Sequence, residues 1–332
     1  MDSWITASQP SSYYLSMDED ENPDQELMDE ILSDLSKTMD LSDYDSDNNG
    51  TIDAVICVNT LAIDSTSDGN ILQWAYRYWN MYSDDGTYLN SYDDVCAWDY
   101  LWASYQFLFE TVDANGHTSF DGPNATNTYT FIHEFGHVLG ADDYYDTDYS
   151  EKITLDGHDV MDSEIGDHNP YSKFNYGWLT ESRLVTDSVS LDLEAFATNG
   201  DTIILANNWD TTLGAYQEYY VLMYYTNTGL NGGDYGYFDE EGVVMYHVDA
   251  SLIKYDNLTL MDGSQAYDVY NTNSSSSENA LIELVKNGSS YVYGVGDTSS
   301  STIKDNNDET LGFTFTVNSL DTTKASLTFT KA

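Results

Sequence analysis

His133, Glu134 and His137 are the residues of this 332-residue chain whose types and spacing can do chemistry together. In a helix, positions four apart lie on one face a turn apart, so the two imidazoles can converge on one metal ion while Glu134 stands beside them. Gly140 falls where such a helix must stop and the chain must turn, with positive φ expected. Asp143, ten residues after His133, is where a third ligand would be needed. Zinc held by His133, His137 and Asp143 keeps one position open, where water becomes acidic enough to supply hydroxide near neutral pH. Glu134, too close to His133 to share the ligand role, would act as general base and hand the proton to a leaving amine. The competing reading is a solvent-facing helix end that happens to carry two His and an acid. Against it, Phe131, Ile132, Phe135, Val138 and Leu139 surround the polar residues, so the helix should be buried and its His and Glu should need partners.

Downstream, Asp159-Val160-Met161-Asp162 and Asp167-His168-Asn169-Pro170-Tyr171-Ser172-Lys173 follow the His133-Glu134-x-x-His137-x-x-Gly140-x-x-Asp143 motif. Together these segments resemble the immune inhibitor A type (M6) secreted metallopeptidases of the metzincin-like group. The resemblance implies an Asp in place of the third metzincin His, and a Met-turn whose Met161 lies beneath the metal. Met161 would itself do no chemistry, because its thioether packs while a carboxylate ligates. Some metzincins place a tyrosine soon after this turn, so Tyr171 is a candidate for stabilising the oxyanion, with ordinary packing as the equal alternative. Gly242-Val243-Val244-Met245-Tyr246-His247-Val248-Asp249 carries the resemblance further along the chain. The implied activity is hydrolysis of protein or peptide substrates by a secreted zinc endopeptidase. The alternative class is a β-rich adhesion or binding protein whose metallopeptidase-like domain no longer cuts, although the base and all three ligands are present.

A second cation is suggested by Asp45-Ser46-Asp47-Asn48-Asn49-Gly50-Thr51-Ile52-Asp53, which places oxygen-bearing side chains at alternate positions and a Gly at the sixth. Those are the features of the first part of an EF-hand loop, and Asp45, Asp47, Asn49 and Asp53 are the candidate calcium ligands. The twelfth position is Ile56 rather than Glu, so calcium would need a further ligand from elsewhere. The alternative is an Asx-rich turn entering a buried strand.

Composition sets the limits. Ten Lys and Arg against 58 Asp and Glu give a formal charge of −48, which repels nucleic acid and anionic membranes and favours cations. Nucleic-acid binding is thereby excluded, and no stretch has the length of a membrane span. Cys57 and Cys96 cannot make a disulfide framework and are expected reduced and buried, though a single bridge is geometrically open. Met1-Asp2-Ser3-Trp4 lacks the regions of a signal peptide. Since the resemblance implies secretion behind a signal and a propeptide, the chain reads as a mature portion with an added Met. A monomer is the expected state.

Several elements must position the site. Trp4 to Tyr14 reads as an extended arm, and Leu27, Ile31, Leu32 and Leu35 predict an amphipathic helix over about 24–39 that covers a sheet. Ala54 to Val58 reads as a strand. The Trp- and Tyr-rich stretch from Ile71 to Phe109 is assigned mainly to core, with part of it available as an edge strand beside substrate. His117 is expected in a solvated turn, and Asn124 to Thr128 offers capping side chains. Beyond about 183 the pattern becomes short strands between Asn, Gly, Ser and Asp turns: Ser190–Phe196, Thr202–Ala206, Tyr219–Tyr225, Val243–Val248, Leu281–Val285 and Leu311–Val317. His247 falls in one of these strands and is read as structural. Asn271 to Asn279, with four consecutive serines, reads as a flexible loop. The expected architecture is α+β: a metzincin-like peptidase domain over 1–182, with a mixed sheet and the active-site helix, followed by an all-β sandwich-like domain over 183–332.

Overall fold

Pro23 opens the first long helix, Pro23–Leu35, where its fixed φ suits the first turn and its missing N–H costs nothing. Asp24 and Glu26 lie in that turn, at the positive end of the helix dipole. Met28 and Leu32, four residues apart, are fully buried, and Leu27, Ile31 and Leu35 pack beside them. This stripe meets a three-stranded sheet in which Asp99–Ser104 lies between Val55–Asn59, parallel to it, and Tyr76–Trp79, antiparallel to it. The computed structural model describes residues 4–18, 21–63, 70–79, 91–112, 118–120, 127–148, 154–163, 166–179, 182–232, 238, 240–259 and 265–332. Within these the protein is a mixed α+β structure, mostly sheet with few helices.

The chain forms two compact units, Met1–Leu139 and Gly140–Ala332. In the first, the aromatic stretch divides as its chemistry requires. Tyr100 and Trp102 are buried in the core, whereas Trp74 is exposed. The polar ends of the buried rings are satisfied: Trp102 Nε1 donates to Leu72 O at 3.0 Å, and Tyr100 O–H donates to Asp24 Oδ2 at 2.6 Å. Cys57 and Cys96 are both buried and unbridged. The expected extended arm is corrected at its end. Pro10, with extended backbone, precedes a short helix over Ser11–Tyr14 that buries Tyr14, whose hydroxyl donates to Glu30 Oε1 at 2.6 Å.

The second unit contains two larger sheets. One has the strand order Ile282–Leu284, Gly242–Asp249, Glu218–Tyr225, Thr202–Leu205 and Ser182–Leu184, with Val292–Tyr293 also paired to Gly242–Asp249. The other places Lys324–Lys331 between Phe313–Leu320 and Val189–Glu194. One apolar cluster takes side chains from both, including Leu222, Met245, Phe315, Val317, Leu327 and Phe329. Residues 313–317 and 325–329 alternate buried and half-buried positions, as strands covered on one face do. Gly242–Asp249 is buried at every residue, so Val243-Val244-Met245-Tyr246 reads in sequence as an unbroken apolar run. The hairpin Leu252–Thr259 with Gln265–Val269, and the strand Lys324–Lys331, were not among the expected elements.

Residues 140–182, placed by the sequence on the catalytic side of a boundary at 182/183, pack within the second unit. Hydrogen bonds tie them there: Leu284 N–H donates to Thr154 O at 3.0 Å, and Asp167 N–H to Asn231 Oδ1 at 3.0 Å. The serine run departs from the expected flexible loop. Asn271, Asn273 and Ser274 are buried, and Asn273 Nδ2 donates to both Tyr144 O and Thr154 Oγ1 at 2.9 Å. Ser275 and Ser276 donate backbone N–H groups to Asp146 and Asp148 at 2.8 and 3.0 Å. A composition that suggests solvated chain here supplies donors to the acidic segment that follows the HExxH helix.

Candidate metal centre

The helix Tyr129–Val138 carries its apolar residues at 131, 135 and 138, a spacing of four and three that makes one stripe. That stripe, Phe131, Phe135 and Val138, packs on Leu101, Ala103 and Phe107. His133 and His137 lie two positions on from Phe131 and Phe135, about 200° around the helix, and so face away from the sheet. At the N-terminus, Thr128 makes no side-chain cap; instead Asn127 Oδ1 accepts the N–H of Tyr129 at 2.9 Å. Asn124 and His117 lie outside the described residues. The helix ends at Leu139, and Gly140 takes φ +96°, the turn that its sequence position requires.

His133 and Glu134 are 5% and 7% exposed. The Nε2 atoms of His133 and His137 approach to 3.2 Å, with the rings nearly perpendicular at 89°. A carboxylate oxygen of Asp143 joins them, the three donor atoms lying within 4.8 Å of one another. Two nitrogens bound tetrahedrally to zinc at about 2.0–2.1 Å would be about 3.4 Å apart, so the imidazole pair is spaced for a metal. Two imidazoles and one carboxylate form a set that suits zinc, whereas calcium and magnesium take shells of oxygen.

Around Asp143 the second unit builds a polar network. Tyr144 N–H donates to Met161 O at 2.9 Å, and Tyr144 Oη is 2.7 Å from Ser172 Oγ. Met161 is fully buried in the short helix Val160–Ser163. Tyr171 is 3% exposed in the helix Pro170–Asn175, with its ring 6.4 Å from that of Tyr144. Burial, then the nearby Asp142 carboxylate, hold its phenol pKa well above the usual value. Asp159 is fully buried, and burial pushes its carboxyl up to about 7 against the lowering effect of three N–H donors from Met161 and Asn169. Sequence reasoning gave Asp159 and Asn169 no role. The Asn169-Pro170 pair was nonetheless a readable signal of a helix start with an Asn cap.

In the acidic loop, oxygens of Asp45, Asp47 and Asp53 also lie within 4.8 Å of one another. Asp45 accepts the backbone N–H groups of Asn49 and Gly50 at 3.0 and 2.9 Å, and Asp53 accepts that of Ser46 at 3.1 Å. Asn49 donates Nδ2 to Asp47 Oδ2 at 3.1 Å, while its Oδ1 accepts from Thr51 N–H at 2.8 Å. The strand that follows is Val55–Asn59, and Ile56 within it is exposed.

The other described histidines pack structurally. His158 stacks on Phe238, and His168 meets Tyr176 and Trp178 edge-on. His247 is held between Glu218 at 2.9 Å and Glu283 at 3.0 Å and stacks on Tyr220. Compared with known proteins, the chain matches no protein-family model and no curated protein. No helix among the described residues is long and apolar enough to cross a membrane.

Proposed function

We propose that the protein is a secreted zinc endopeptidase of the immune inhibitor A (M6) type. The observation that carries this reading is the convergence of His133, His137 and Asp143 donor atoms within 4.8 Å, with Glu134 buried next to the first of them. Zinc, when bound by these three residues, supplies Lewis acidity toward the scissile carbonyl and lowers the pKa of water. Glu134 accepts the proton that the attacking water loses and returns it to the departing amine. Tyr171, kept protonated by burial, retains the hydrogen that an oxyanion donor needs. Packing of the HExxH helix on a sheet supports the metzincin-like fold. Among the described residues Tyr76–Trp79 lies at that sheet's edge, where an extended peptide can add as a further strand. Secretion rests on the resemblance alone. The Asp45, Asp47 and Asp53 group is proposed as a calcium site, with Asn49 as a further ligand if its Oδ1 exchanges Thr51 for the ion.

The test is metal content together with cleavage of an unfolded generic protein, measured before chelation, after chelation and after zinc is restored. Zinc near one per chain, with cleavage lost and regained, is the expected result. A zinc-loaded protein that cuts nothing would instead support the silent binding protein. A protein that takes up no zinc overturns the reading altogether.

A further inference from the structure

Asp159 is a fully buried carboxyl that the chemistry above does not use. Its Oδ1 accepts the N–H of Met161 at 2.7 Å, and its Oδ2 accepts both the backbone N–H and the Nδ2 of Asn169 at 2.9 Å. Asn169 in turn caps the helix Pro170–Asn175, its Oδ1 accepting Ser172 N–H at 3.0 Å. Ser172 Oγ meets Tyr144 Oη at 2.7 Å, and Tyr144 N–H returns to Met161 O at 2.9 Å. These bonds close a ring through Asp159, Asn169, Ser172, Tyr144 and Met161. Asp143 is joined to the ring by its peptide bond to Tyr144, and Tyr171 by its peptide bond to Ser172.

Two physical arguments say what the ring is for. Residues 139–148 contain no helix or strand that would hold Asp143 by its own backbone ladder, so its position must come from outside the segment. A buried carboxyl is also costly, and an apolar residue of similar size would fill the space without that cost. What the carboxyl supplies is three directional bonds spanning two elements. We propose that Asp159 is a positioning residue: by locking the Val160–Ser163 turn to the start of the Pro170–Asn175 helix, it fixes Asp143 for the metal and Tyr171 beside it. This rests on the metallopeptidase reading. Outer partners of metal ligands typically contribute 10- to 100-fold to affinity by holding the ligand in place, roughly the effect expected here.

The experiment measures zinc affinity by chelator competition on folded, metal-free protein. Asp159→Asn puts an amide donor where the ring needs an acceptor, and its zinc affinity should fall roughly 10- to 100-fold. Adding Asn169→Asp gives the new amide an acceptor and keeps an oxygen for the Ser172 cap, but the backbone N–H of residue 169 still faces a donor, so affinity should return only in part. Phe329→Leu, in the core between the two sheets, controls for lost stability and should lower Tm without changing zinc affinity. Should Asp159→Asn fail to fold, Ser172→Ala keeps the backbone bond to Asn169 and removes the hydroxyl that meets Tyr144 and Tyr176, and should weaken zinc binding by a smaller factor. Wild-type affinity in Asp159→Asn or in Ser172→Ala would overturn the proposal. So would a loss that Phe329→Leu reproduces at equal Tm, or a double variant that stays as weak as the single one. Wild-type protein that binds no zinc overturns the metallopeptidase reading and this proposal with it, whereas zinc-binding wild type with an indifferent Asp159 sinks this proposal alone.

Discussion

Glu134 follows His133 by one position, about 100° around the helix, so it reaches the water side of a metal held by His133 without easily entering the coordination shell. Glu134→Gln keeps the shape and removes the proton acceptor. Zinc content should therefore stay near wild type while turnover falls by roughly 10²- to 10⁴-fold or more. Loss of zinc in this variant would make Glu134 a ligand or a support, and full activity would remove it from the mechanism. The neighbouring acids are told apart the same way. Asp143, not Asp142, contributes the oxygen that joins the two imidazoles, so Asp143→Ala should lose zinc affinity while Asp142→Ala keeps it. Equilibrium dialysis of the two variants checks this, and the reverse result would move the ligand by one residue.

Two elements carry predictions of their own. In the Asp45–Asp53 loop the acids already lie within 4.8 Å of one another, and a cation that binds only the folded state must stabilise it. The gain is ~2.7 kcal/mol at a hundredfold excess over Kd. A calcium titration followed by melting should show it, and an unmoved Tm would leave the loop as a turn. The strands carrying Glu218, His247 and Glu283 hold an imidazole between two carboxylates. Desolvation alone would lower the His247 pKa, but the hydrogen bonds and charges of Glu218 and Glu283 raise it to about 9. The folded value lies above the unfolded one near 6.5, so the stability this group contributes is complete below pH 6.5 and is lost as pH rises through about 9. It amounts to about 3 kcal/mol at most. The urea midpoint of wild type should exceed that of His247→Gln at pH 6, with the gap closing by pH 10. A constant gap would mean that His247 acts by packing alone.

Over the whole molecule, 58 acids face 10 basic residues, so most carboxylates have no cationic partner and the fold works against its own repulsion. At 0.15 M salt the screening length is about 8 Å, short enough to weaken repulsion across the surface while leaving buried contacts intact. Tm should therefore rise with moderate sodium chloride. A Tm flat across salt concentration would show that bound cations already neutralise the surface.

The candidate metal-ligating group and the acid beside it were legible because they lie within eleven consecutive residues whose spacing the helix and Gly140 convert directly into geometry. The Pro23–Leu35 helix and the alternating strand Phe313–Leu320 were legible for a related reason, since burial on one face leaves a period in the sequence. That Asn127 rather than Thr128 caps the HExxH helix was not, because adjacent polar side chains compete for the same N–H groups and only the folded backbone selects between them. Nor was the burial of Asn273 and Ser274, whose partners Tyr144, Thr154 and Asp148 lie more than a hundred residues away. The ring through Asp159 belongs with these. Its members come from three separated segments and carry no shared period, so the tertiary structure alone brings the hydrogen bonds of Asp159, Asn169, Ser172, Tyr144 and Met161 to closure beside Asp143.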